Sequence, residues 1–124
     1  MKFAKIVFWT AGIWGVLVLT PLFFIFDSIG RKDPPPVTHP GFYYGFATVG
    51  LAFQFIFMVI ATDPVRFRTM MIPSVFEKIS YVVAVVALYL QHRIHPADLV
   101  FAGMDFLWGL LFIVAFLKTR TAEA

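Results

Sequence analysis

Four stretches of this 124-residue chain, at about 6–26, 42–61, 72–90 and 99–117, are each roughly 20 residues long and predominantly apolar. No other feature limits the fold so tightly. A helix of about 20 residues rises about 30 Å, the thickness of a bilayer's hydrocarbon core. In that medium each backbone N–H and C=O must find its partner inside the protein, and a helix does this within its own segment. The connections are short, so the four runs predict an all-α, antiparallel four-helix bundle in a membrane, with residues 1–124 as one domain. Composition agrees. Hydrophobic residues make up 60% of the chain and charged residues 14%, against roughly 25% charged in a soluble domain. There is no cysteine, which excludes disulfides, thiol catalysis, thiolate metal sites and any reductase working through a Cys pair. A formal charge of +3, scattered along the chain, does not suggest nucleic acid.

The first run follows Lys2 and Lys5. It is longer than the 7–15 residues or so of a signal-peptide core, and no small-x-small cleavage site follows it, so it reads as a retained helix. Pro21 lies inside it and removes a hydrogen bond to the Leu17 carbonyl, which predicts a kink. The second and fourth runs open with His39-Pro40-Gly41 and His95-Pro96, where proline suits a first helical turn. The third is the weakest, because Glu77 and Lys78 lie near its start; a three-span chain is the alternative. With four spans, Lys2, Lys5, Arg66, Arg68, Lys78, Lys118 and Arg120 share one side, and Arg31, Lys32 and Arg93 the other. That bias predicts cytoplasmic termini. Between the first two spans, Arg31–Pro36 reads either as a stiff polyproline spacer or as a docking segment. In Thr62–Arg68, Asp63 and Pro64 suit a helix start, with Arg66, Phe67, Met70 and Met71 on a short amphipathic segment at the inner surface. No internal repeat is evident.

Charges facing lipid are costly, so the polar residues within the runs mark interior faces. Asp98, Ala102, Asp105 and Gly109 share one face of the fourth helix. Tyr43, Ala47, Gly50 and Gln54 share one face of the second. The third carries a broad face through Glu77, Ser80, Tyr81, Ala84 and Gln91, and the first has Ala11, Gly12 and Gly15. At 1.5 Å per residue, Asp105 lies about 12 Å inside the outer end of its helix. That depth predicts an outer cluster of Asp105 with Tyr43, Tyr89, Gln91, His92 and Arg93, and an inner cluster of Glu77, Lys78 and Gln54. For Asp105 the expected partner is the hydroxyl of Tyr43 or Tyr89. Asp105 lies too deep to cap its helix. It is either a structural hydrogen-bonding or ion-pairing group, or a proton or ligand site. Ser74-x-x-Glu77 matches a capping box, so Glu77 reads as a cap and Lys78 as a side chain snorkelling to the inner headgroups. His92-x-x-His95 has no evident third ligand, and histidine beside proline at the interface is the simpler reading. No metal or cofactor is expected.

The segment "ATDPVRFRTMMIPSVFEKISYVVAVVALYLQ", with "THPGFYYG" before it and "DFLWGLLFIVAFLKT" after it, resembles a group of small bacterial four-span membrane proteins. In size and topology these are similar to the DoxX-like proteins. The resemblance implies the fold and a bacterial inner-membrane location. It carries over no site residue, and none here matches the quinone-coupled sulfur oxidation linked to DoxX. Small multidrug transporters have the same size and span count, but their essential acidic residue lies in the first span, where this chain has none.

Two functional classes follow. One is a non-enzymatic accessory or scaffold protein, holding a lipid or small hydrophobe in the bundle. The other is a small proton-coupled transporter using Asp105. An enzyme ranks third, because no nucleophile–base pair or metal set assembles. The expected partners are the lipid bilayer and further copies of the chain or another membrane subunit.

Overall fold

The structure, a computed structural model, describes residues 2–32 and 38–123, with side chains as far as Arg120. Its elements are helices α1 (Lys2–Leu19), α2 (Phe26–Lys32), α3 (Pro40–Thr62), α4 (Met71–Leu90) and α5 (Asp98–Glu123), with 3₁₀ turns at Thr20–Phe23 and Arg68–Met70. Four helical segments, Lys2–Phe23, Pro40–Thr62, Arg68–Leu90 and Asp98–Arg120, are long and apolar enough to cross a membrane. The chain is therefore an all-helical, multi-pass four-helix bundle, and the third run is a span despite its charges. Pro34–Pro36 lie outside the described residues, so the polyproline reading is not addressed.

Each boundary has a local cause. Pro21 does more than kink the first span. The α-helix ends at Leu19 and tightens into a 3₁₀ turn, in which the Phe24 N–H donates to the Pro21 carbonyl. A short surface helix, α2, then forms an elbow beyond it. Helix α3 starts at Pro40, as expected, and Asp63 caps its C-terminus. Asp63 also accepts the Arg66 N–H at 3.3 Å, but only a turn and a 3₁₀ segment follow, and α-helix resumes at Met71. Helix α5 begins two residues after Pro96, where the Ala97 N–H donates to His95 Nδ1 at 3.1 Å. That is a local role for His95 in the turn, and a reason for a histidine beside the proline.

The bundle is two helical hairpins. Helix α1 packs along α3, α4 packs along α5, and the hairpins meet chiefly through α1 and α5. Their shared core lies toward the end that carries Lys2, Thr62 and Arg120, called here the basic end. Phe8 of α1 stacks on Phe112 of α5 at 4.2 Å between centroids, and Phe57 of α3 meets Phe112 edge-on at 4.9 Å. All three rings are fully buried, beside Ala4, Ala11, Ile60, Met71 and Ala115. Lipid chains are as apolar as these side chains, so close packing and ring contacts hold this core rather than release of water. Toward the opposite, elbow end, large apolar side chains such as Phe42, Val49, Val83 and Leu90 point outward, as lipid-facing residues should.

Candidate functional site

The polar residues of the spans do not form the two clusters expected from depth. Asp105 turns inward, as its neighbours Ala102 and Gly109 suggested; both are buried. Its partner, however, is Lys78. The Lys78 ammonium donates to Asp105 Oδ1 at 3.4 Å and lies 3.7 Å from Glu77 Oε2. The Lys78 side chain is only 5% exposed, and those of Glu77 and Asp105 are 22% and 20% exposed. The face of the Phe57 ring lies 5.2 Å from the ammonium, a cation–π contact from a third helix. Two carboxylates and one ammonium thus share a site on the seam between α4 and α5, inside the bundle.

Gly109 makes this geometry possible. A Cβ there would stand 2.8 Å from Ile79 Cδ1 and 3.5 Å from Lys78 Cβ, so the bare backbone lets α5 close onto α4 at that level. The root of Lys78 lies beside Gly109, and its stem reaches the remaining turn to Asp105. Snorkelling to the inner headgroups does not occur, because the carboxylate offers a nearer partner. The capping reading of Glu77 is also corrected. The α-helix already begins at Met71, with Met70 in the cap position and no side-chain cap bond. Ser74 is inside the helix, donating to the Met70 carbonyl at 2.7 Å. Glu77 sits well past the first turn, and its Oε2 is buried with no hydrogen bond among the described residues.

The remaining candidates have separate roles. Tyr43 donates to the Leu22 carbonyl at 2.7 Å, satisfying backbone in the 3₁₀ turn and tying the elbow to α3. Tyr89 is exposed and lines a surface hollow with His92 and Pro96. Gln91 Oε1 accepts from Arg93 Nη1 at 3.2 Å. His92 has φ of +57°. Its N–H donates to the Tyr89 carbonyl and the Arg93 N–H to the Leu88 carbonyl, which is a Schellman ending with histidine in the left-handed position usually held by glycine. Gln54 does not join Lys78. Its Nε2 donates to the Gly50 carbonyl at 2.9 Å, its Oε1 is buried without a partner among the described residues, and its side chain fills the space where a Gly15 Cβ would be. It joins α1 to α3.

Lys78 and Glu77 were legible as a pair, and Asp105 as an inward-facing acid. What was missed is that all three belong together, with Phe57 beneath them. The available signal was the antiparallel register of α4 and α5, which sets Lys78 near Gly109 and one turn from Asp105. Comparison with protein-family models, curated proteins and solved structures finds no match to this chain.

Proposed function

We propose that this chain is a small bacterial inner-membrane protein, with cytoplasmic termini, that takes up and releases a proton at Glu77, Lys78 and Asp105 in the manner of a small proton-coupled carrier. The supporting observation is the triad's composition. Two carboxylates face one ammonium, and Glu77 Oε2 has no hydrogen bond among the described residues. With all three ionised the set carries one excess negative charge, which is costly in a bilayer. One proton on a carboxyl neutralises it. Asp105, hydrogen-bonded to Lys78, holds the lysine in place. Glu77, held only by the longer contact, is the group that exchanges.

Infrared difference titration of the protein in lipid tests this reading. A carboxylic-acid band should appear on acidification and vanish in Glu77→Gln. Its persistence in both Glu77→Gln and Asp105→Asn would refute a proton at this site. The second reading is an accessory subunit in which the triad is only a clamp. The Lys78–Asp105 bond favours it, because one contact joins α4 to α5 within a single chain. Under that reading Asp105→Asn folds and keeps whatever phenotype the intact protein confers.

A further inference from the structure

The elbow after α1 carries a second feature, separate from the triad. The first span ends at Phe23 and the second begins at Pro40, so α2 lies at the level of the membrane surface. Between α2 and the start of α3 is a hollow of about 340 Å³, lined by Phe24, Phe26, Asp27, Ser28, Arg31 and Tyr44, among others. Its walls are aromatic: Phe26 stacks on Tyr44 at 5.6 Å, and Phe23 stands 6.1 Å from the same ring. Phe24 is 82% exposed, projecting an apolar ring from the hollow's edge.

Asp27 and Arg31 are one helical turn apart, a spacing at which opposite charges normally meet. Among the described residues they form no ion pair with each other. Both line the hollow instead. The hollow therefore offers an anion, a cation and hydroxyls side by side, over aromatic faces, at headgroup depth. The geometry points to a binding site for a zwitterionic aminophospholipid, its phosphate on the Arg31 guanidinium and its primary ammonium on the Asp27 carboxylate. Guanidinium suits phosphate because its fork of N–H donors matches two oxygens. An ammonium bearing N–H groups suits a carboxylate better than a quaternary amine, which has none to donate. A purely anionic headgroup would meet Asp27 with like charge. Phe24 and Phe23 would lie along the lipid's chains, as interfacial aromatics do.

Native mass spectrometry of the purified full chain tests this, with phosphatidylethanolamine, phosphatidylglycerol and phosphatidylcholine of identical acyl chains supplied in turn. Phosphatidylethanolamine should be retained about tenfold better than either of the others, the size expected for one charge-assisted hydrogen bond. Asp27→Asn should remove that preference, and Arg31→Gln should lower retention of all three lipids, while helical content stays the same. Equal retention of the three lipids, a preference for phosphatidylglycerol, unchanged selectivity in Asp27→Asn, or unchanged retention in Arg31→Gln would overturn the assignment. Displacement of the lipid by soluble phosphoethanolamine at matched concentration would also overturn it, in favour of a free ligand. If a variant fails to fold, the three-lipid comparison on the intact chain still decides.

Discussion

Lys78 and Asp105 meet at 3.4 Å across the α4–α5 seam, and a second carboxylate, that of Glu77, lies 3.7 Å from the same ammonium. An ammonium shared between two acids responds unevenly to substitution. Removing Lys78 leaves two acids without their cation, whereas removing Asp105 leaves Lys78 still beside Glu77.

Lys78→Met should therefore be the most damaging single change at the triad, costing about 3–5 kcal/mol, the usual loss when one partner of a buried pair is removed. Asp105→Asn keeps a hydrogen-bond acceptor and should cost least, with Asp105→Leu between them. Adding Asp105→Leu and Glu77→Gln to Lys78→Met should recover much of the loss. Unfolding in mild detergent gives the ranking, and a triple variant no more stable than Lys78→Met would contradict this account.

The α1–α3 contact offers a test that distinguishes two glycines. A Cβ on Gly15 would overlap the Gln54 side chain, whereas one on Gly12 would stand 2.9 Å from the Gln54 backbone carbonyl and 2.8 Å from Met58 Cγ. Each Ala substitution should cost about 1–3 kcal/mol by overpacking. Gln54→Ala should rescue Gly15→Ala but not Gly12→Ala, because the Gly12 contacts are with the Gln54 backbone and with Met58, which this change leaves in place. Melting temperatures of the four variants would show whether it does.

His92→Gly should raise stability by about 1 kcal/mol, because glycine enters the left-handed region without the Cβ penalty that histidine carries. His92→Val should lower it by at least as much. Neither should change the response of the triad variants. If His92→Gly instead lowered stability, the imidazole would have a role beyond closing α4.

Reporter fusions after Lys118 and within Arg31–Pro36 test the proposed orientation. The first should report the cytoplasm and the second the opposite side. An external report from the first fusion would reverse the proposal.

How far the sequence could be read depended on what each signal measures. Hydropathy counts apolar residues, and it gave the four spans to within a few residues. Helical spacing gives direction around an axis, so Asp105, with Ala102 and Gly109 beside it, was correctly turned inward. Neither signal gives the height of one helix relative to its neighbour. Counting depth from span ends separated Lys78 from Asp105, and only the contact at Gly109 brings them together. Pro21 was recognised as a disruption, but whether a helix bends or stops there depends on what satisfies the freed backbone. Here Tyr43, from another span, supplies the Leu22 carbonyl's donor. Ser74 and Glu77 matched a capping pattern by spacing, yet helix α4 already begins at Met71.

The division into two hairpins has a consequence for synthesis. Helix α4 carries Glu77 and Lys78, and Asp105 arrives only with α5, which follows it along the chain. Released alone into lipid, α4 would expose an ammonium whose insertion costs about 2.5–3.5 kcal/mol at the membrane centre. Its Asp105 partner emerges from the ribosome more than twenty residues later. The favourable course is for α4 to wait at the insertion machinery until α5 arrives, and for the two to enter the bilayer as one unit. The α1–α3 hairpin, closed by glycines and a glutamine, has no charge in the middle of either span to hold it back and can enter first. A truncation ending in the α4–α5 turn should then leave α4 accessible to aqueous labelling reagents, although its length suffices to span.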